Sequence, residues 1–184
     1  MAEADSPDYF ELFGLPRRYP VDRAELDSRF RALQRSTHPD RFASASDLER
    51  RLAAQQAVRI NEGYQTLRDP LRRGRYLLKI AGIDHEDEHR TTRDTAFLME
   101  QMELREELAA VREASDAIGA LAEIMSRIAE RLAGLDAELA GQLQQQDAGQ
   151  LAEASETLMK MQFYRRLQEE AVELEMKLED ELVG

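Results

Sequence analysis

The sequence predicts an all-α protein with an N-terminal four-helix hairpin domain (1–82), a charged linker (83–93) and a C-terminal antiparallel three-helix bundle (94–184). Three observations lead there. Apolar residues recur at intervals of three and four through most of the chain, the spacing of one helix face. Helix-start signals recur between those runs, at Asp22 with Glu25, Ser46 with Glu49, Asp69-Pro70, and Asp147 with Gln150. With 6% aromatic residues, no Trp and 34% charged residues, the composition favours helices over sheet.

The first helix is short, residues 8–13, closed by Gly14 and followed by Pro16 and Pro20 in a loop. Asp22 opens the second, whose Leu26, Phe30, Leu33 and Thr37 fall on one face and which ends before Pro39. Ser46 opens the third, with Ala53, Ala57, Ile60, Tyr64 and Leu67 as its stripe. Asp69 caps the fourth, Pro70 occupies its first turn, and Gly82 marks its end.

Residues 83–93 are crowded with charge and lack an apolar period, the pattern of a linker. Beyond them, Thr95 to Arg112 reads as a helix. A heptad-like seam follows: Ile118, Leu121, Met125, Ile128, Leu132, Leu135 and Leu139. Gly119, Gly134 and Gly141 each cost that helix up to about 1 kcal/mol relative to alanine. The last helix carries Leu151, Leu158, Tyr164, Leu167, Ala171, Leu174 and Leu178. Short polar turns between long helices make an antiparallel bundle.

The formal charge of −12 is unevenly distributed. Residues 1–84 hold 15 Lys/Arg against 13 Asp/Glu, and residues 85–184 hold 10 against 24. No basic stripe rises above this acidic background to track a phosphate backbone, so nucleic acid is not an expected partner. Two differently charged halves point to two different protein partners. The absence of cysteine removes disulfides and thiolate metal sites and favours a reducing compartment. No apolar run reaches membrane-spanning length, and Met1 to Pro7 lacks the basic leader and apolar core of a signal peptide. The expectation is a cytoplasmic protein with no membrane partner.

His38-Pro39-Asp40 sits in the turn between the second and third helices. A catalytic dyad lacks a nucleophile here, since there is no cysteine and no serine in a strand–turn–helix elbow. From the tripeptide alone, an ordinary interhelical turn is the simplest reading. Its surroundings alter that. Tyr9-x-x-Leu12-x-Gly14-Leu15 precedes it, and Ile60-Asn61-Glu62-x-Tyr64-x-x-Leu67-x-Asp69-Pro70-x-x-Arg73 follows. In order and spacing these blocks resemble the J-domain of DnaJ-type co-chaperones. That resemblance implies a helical hairpin presenting His38, Pro39 and Asp40 to an ATP-dependent heat-shock chaperone and accelerating the partner's ATP hydrolysis, without enzymatic activity of its own.

Arg23, Arg29, Arg31 and Arg35 lie off the core stripe of the second helix, and Arg41 follows the turn. Such a cluster would speed encounter with an acidic surface, so Arg29, Arg31, Arg35 and Arg41 join the chaperone-facing set. Three positions depart from the J-domain pattern: Gly63 replaces a common alanine, Arg41 a frequent lysine, and Leu77-Leu78 follows Tyr76 in place of aspartate. The last departure reads as the fourth helix continuing into contact with a second domain.

His85-Glu86-Asp87-Glu88-His89 matches the zinc-protease pattern H-E-x-x-H. That chemistry needs a firm helix, a third ligand and a dry wall. Here the segment follows Gly82, its variable positions are charged, and no further histidine comes after it. A solvated linker is expected, with no metal and no cofactor.

On the first helix of the back domain, Phe97, Leu104, Leu108 and Val111 make a sufficient core arc. Leu98, Met99 and Met102 project elsewhere, among Glu103 and Glu106. Either a neighbouring helix covers this second apolar patch, or it is an adaptable protein interface of the kind methionines serve. Phe163, on the shoulder of the last helix, extends the patch if the two helices lie side by side.

Asp94-Thr95-Ala96-Phe97-Leu98-Met99-Glu100-Gln101-Met102-Glu103-Leu104-Arg105-Glu106-Glu107-Leu108 resembles the scaffold-binding helix of the HscB family, the specialised J-proteins of iron–sulfur cluster assembly. The resemblance implies that the back domain binds an IscU-type cluster scaffold while the J-domain recruits an HscA-type chaperone. Its scaffold contacts carry over to Leu98, Met99, Met102, Glu103, Glu106 and Phe163. Met102 replaces a leucine, a nearly volume-conserving change. Ala110 stands where relatives place another acidic contact. The cysteine-rich extension of some eukaryotic relatives is absent, which favours a bacterial-type protein, expected to be a monomer. The alternatives are a J-domain co-chaperone with a different client and a structural helical dimer built on the heptad seam.

Overall fold

The computed structural model describes residues 8–38, 45–83, 92, 94–145 and 147–183, with side chains as far as Glu181. Among these residues there is no strand. The elements are α1 (Tyr9–Phe13), α2 (Arg23–Ser36), α3 (Asp47–Arg68), α4 (Pro70–Ile80), α5 (Thr95–Ala110), a 3-10 turn (Val111–Glu113), α6 (Ala117–Gln145) and α7 (Ala148–Val183). The chain divides into two compact units, Met1–Gly82 and Ile83–Gly184.

Side-chain caps set the helix starts in the front unit. The Asp8 carboxylate accepts from Glu11 N at 2.9 Å, and Asp22 accepts from Glu25 N at 3.0 Å. Ser46 and Glu49 form a reciprocal capping box on α3, and Asp69 accepts from Arg72 N at 2.9 Å on α4. Gly14 ends α1 in the left-handed region, φ 62°, where a side chain would be strained. Phe10, Phe13, Leu26, Ile60, Leu67 and Leu78 are fully buried. Leu77 is buried as well.

Gly63 has a positive role that its helix propensity conceals. It is buried in α3, and a Cβ there would stand 2.9 Å from Tyr9 Cδ1 and 3.0 Å from Phe13 Cε2. The missing side chain lets both rings of α1 lie against the α3 backbone. Tyr9 also stacks on Tyr76 of α4, ring centroids 4.7 Å apart, and its backbone N–H donates to the Tyr76 hydroxyl at 2.9 Å. Arg73 is buried, donates from Nη1 to the Leu67 carbonyl at 2.6 Å and lies 4.7 Å over the Tyr19 ring. Its place in the motif is therefore structural, tying α4 to the end of α3 and to the α1–α2 loop.

In the back unit, α6 runs unbroken through Gly119, Gly134 and Gly141, and the Asp116 carboxylate caps its start by accepting from Gly119 N at 2.9 Å. Asp147 caps α7, accepting from Gln150 N at 3.0 Å. The α6 seam is rotated from the heptad expectation. Leu121, Ile128, Leu135 and Leu139 are buried as expected, and Ile124 and Leu143 join them. Ile118 is 46% exposed, and Met125 and Leu132 are only half-buried. The cause is α5: it and the 3-10 turn pack against α6, where Glu107 meets Arg127, and Ile124 shares that flank one turn earlier, so the buried face extends there and away from Ile118. On α7 the small or flexible residues Ala154, Ser155, Thr157 and Met161 are buried in addition to the expected stripe, while Leu174 is half-buried.

Replacing Gly63 with alanine should gain up to about 1 kcal/mol of helix propensity and lose about 1–3 kcal/mol by forcing two rings out of place. The expected outcome is a lower urea midpoint. A midpoint above wild type would show that the rings yield freely.

Candidate functional site

Two surfaces carry the residues singled out in the sequence, one on each unit. On the front unit, α2 and α3 are clamped by Phe30 stacked on Tyr64 at 3.9 Å with an 11° interplanar angle. The Tyr64 hydroxyl donates to Asp27 at 2.8 Å, and that bond holds the phenol above its ordinary pKa. Arg68 covers the same ring at 5.6 Å. The last turn of α2 is closed by Thr37, whose N–H and hydroxyl both donate to the Leu33 carbonyl, at 3.2 and 3.1 Å.

His38 is exposed directly after that cap. Pro39, Asp40 and Arg41 lie outside the described residues. Arg31 and Arg35 are exposed and line an open groove with Gln34, Thr37 and His38 on one side and Ala57, Ile60 and Asn61 on the other. Arg29 belongs elsewhere. It pairs with Glu25 at 3.3 Å, and its guanidinium sits 3.7 Å from where a Gly14 Cβ would be. The structure thus gathers Arg31, Arg35 and His38 along one groove and sets Arg29 toward α1.

On the back unit, Asp94 caps α5 by accepting from Phe97 N at 3.1 Å, and its second oxygen receives the Lys160 ammonium of α7 at 2.6 Å. Phe97, Leu104, Leu108 and Val111 are buried as expected. With that stripe satisfied, Leu98 remains 38% exposed, Met99 59% and Met102 63%. Glu103 and Glu106 are exposed beside them.

Phe163 is half-buried, in edge-to-face contact with Phe97 at 5.6 Å and Tyr164 at 5.3 Å. Its ring is neither enclosed nor free. Arg105 lies 5.6 Å from its centroid, and Arg105 shares the Leu98/Met102 flank of α5 by helical spacing. Arg105 thus links the Phe163 ring of α7 to the flank of α5 that carries Leu98 and Met102.

Sequence reasoning missed the groups that hold α5 in place. Arg131 donates to Glu100 at 2.7 Å, and Arg127 makes a two-pronged pair with Glu107 at 2.8 and 3.1 Å. Burial, followed by the nearby Glu100 charge, pushes the Tyr164 phenol far up. Among the described residues Glu103 and Glu106 form no close ion pair, although the Glu103 charge, after those of Glu107 and Glu100, helps hold the Arg127 guanidinium protonated. The i, i+7 spacing of Glu100 and Glu107 was the one sequence signal for the α6-facing edge.

His85-Glu86-Asp87-Glu88-His89 lies outside the described residues. Among the described residues no cluster of three or more metal-ligating side chains occurs, and no helix is long and apolar enough to cross a membrane.

Residues 93–172 match the family described as the HSCB C-terminal oligomerisation domain. Chaperone HscB from Vibrio cholerae is 43% identical, with a TM-score of 0.83 over 94% of this chain and 99% of its own. The human co-chaperone protein HscB is 32% identical, with a TM-score of 0.82 over 96% of this chain and 86% of its own. The Jac1 co-chaperone from Saccharomyces cerevisiae, 22% identical, shares the fold with a TM-score of 0.67 over 90% and 97%.

The bond from Lys160, then that from the Phe97 amide, holds the Asp94 carboxyl below its ordinary pKa. A depressed carboxylate contributes stability that is present above its unfolded pKa, about 3.9, and is lost as pH falls through the folded value. The stability difference between wild type and Asp94→Asn, which still caps, should therefore be present at neutral pH and shrink below about pH 4. Thermal unfolding across that range measures it, and a pH-independent difference would contradict the ion-pair account.

Proposed function

The chain belongs to the HscB family of co-chaperones, and from that premise we propose that it is an adaptor between an IscU-type iron–sulfur scaffold and an HscA-type heat-shock ATPase. The observation that carries the reading is the apolar surface left on α5 after its core stripe is buried. Leu98, Met99 and Met102 stand exposed together, bordered by Glu103 and Glu106 and extended by Phe163. An apolar centre with a charged rim fits a protein partner, and thioether side chains adapt to the partner's shape.

The front unit supplies the second contact. His38, with Pro39, Asp40 and Arg41 following, meets the chaperone, while Arg31 and Arg35 along the groove steer an acidic surface toward it and Arg29 contributes from the α1 side. The co-chaperone performs no bond-breaking step. It raises the partner's hydrolysis rate by favouring the partner's hydrolysis-competent conformation, which requires that it bind that conformation more tightly. ATP hydrolysis coupled to scaffold delivery then promotes cluster transfer in the cytoplasm.

His38→Gln should fold normally by circular dichroism, bind the scaffold with unchanged affinity and lose stimulation of the chaperone's ATPase. Stimulation at the wild-type level would overturn the trigger assignment. Replacing Leu98, Met99 and Phe163 together by alanine should weaken scaffold binding by at least about 100-fold in calorimetry, since interface anchors commonly cost 1 kcal/mol or more each. Unchanged affinity in a folded variant would return those residues to a packing role.

A further inference from the structure

Phe163 is half-buried against Phe97 and Tyr164, and the contacts around its ring extend to a residue outside the patch. Phe97 meets Phe163 at 88°, so the edge of one ring faces the plane of the other. The Lys160 ammonium lies 5.5 Å from the Phe97 centroid, on the same ring that Phe163 contacts. That ammonium also bonds Asp94, the residue that caps α5 three positions before Phe97.

Lys160 therefore touches the start of α5 twice, through the cap and through the ring. Its side chain is 25% exposed and that of Asp94 36%, so the pair is partly shielded from solvent. The other ion pairs on α5 reach α6: Glu100 to Arg131 and Glu107 to Arg127. Among the described residues, the ion pair joining the N-terminal end of α5 to α7 is Lys160 with Asp94. It lies one helical turn below Phe163 on α7.

We propose that Lys160 is a positioning residue for the partner-binding patch, holding the first turn of α5 against α7 so that Leu98, Met102 and Phe163 form one continuous surface. The proposal rests on the reading of that patch as the scaffold interface. Its physical basis is preorganisation. A cation on the Phe97 ring and a bond to the helix cap restrict the rings before binding, so a partner does not have to order them. Phe163 is held from its other side by Arg105, and Lys160 sets the α5–α7 spacing within which that contact forms.

The test uses the full chain and a purified IscU-type scaffold protein in calorimetric titrations. Lys160→Met keeps the apolar stem and removes the charge, and it should weaken binding by about 3–10-fold. Lys160→Arg should restore most of the affinity. In a Phe163→Ala background, Lys160→Met should have little further effect, because the residue acts through that ring. A wild-type affinity for Lys160→Met, or an equal loss with and without Phe163, overturns the proposal. If Phe163→Ala alone binds as wild type, the interface reading itself fails and the proposal falls with it. A weakened Phe163→Ala beside an unaffected Lys160→Met confines the failure to the positioning role.

Discussion

A helix in a small bundle can bury only part of its circumference, and the part it buries determines which side chains are left for anything else. On α5 this constraint has an unusual result. Phe97, Leu104 and Leu108, with Val111 of the 3-10 turn that follows, are the side chains it buries. Leu98, Met99 and Met102 are left over, at a cost in exposed apolar surface that docking does not repay. The remaining features of the back unit follow from keeping α5 in that rotation: Glu100 and Glu107 anchored to α6, Asp94 anchored to α7, and Phe163 pressed edge-on against Phe97.

The front unit applies the same constraint with aromatic rings. Gly63 removes a side chain where α1 must approach α3, and Tyr9 and Phe13 occupy the space. Phe30 and Tyr64 join α2 to α3 on another side. The hairpin end near His38 is left to polar and basic groups, with Thr37 turning back onto the Leu33 carbonyl. Charge on this surface adds little stability, because an exposed pair such as Arg29 with Glu25 is worth at most about 1 kcal/mol. Its value lies in steering a partner.

Much of this was legible in the residues. The caps at Asp22, Ser46, Asp69 and Asp147 act where the spacing of polar and apolar residues put them, because capping is a contact over three residues and needs no tertiary context. The buried arc of α5 was equally readable, since four residues within a narrow angle leave little choice. The α6 seam was less so. A heptad reading treats α6 as a two-helix partner and places Ile118 inside, whereas docking of α5 on one flank draws Ile124 in and leaves Ile118 46% exposed.

By itself the sequence determined the helices, the caps at Asp22, Ser46, Asp69 and Asp147 and the existence of two apolar faces on α5, because each depends on residues a few positions apart. Only the tertiary structure decided the rest. Arg31 and Arg35 share a groove with His38 while Arg29 does not, Gly63 is a packing requirement and not merely a weak helix former, and Phe163 sits half-buried where α5 meets α7. Lys160 stands 66 residues from Asp94 in the chain, and no local pattern links them. Such pairings depend on how helices rotate and how closely they approach, which is set by the volumes of all the side chains between them and not by any one helix's period.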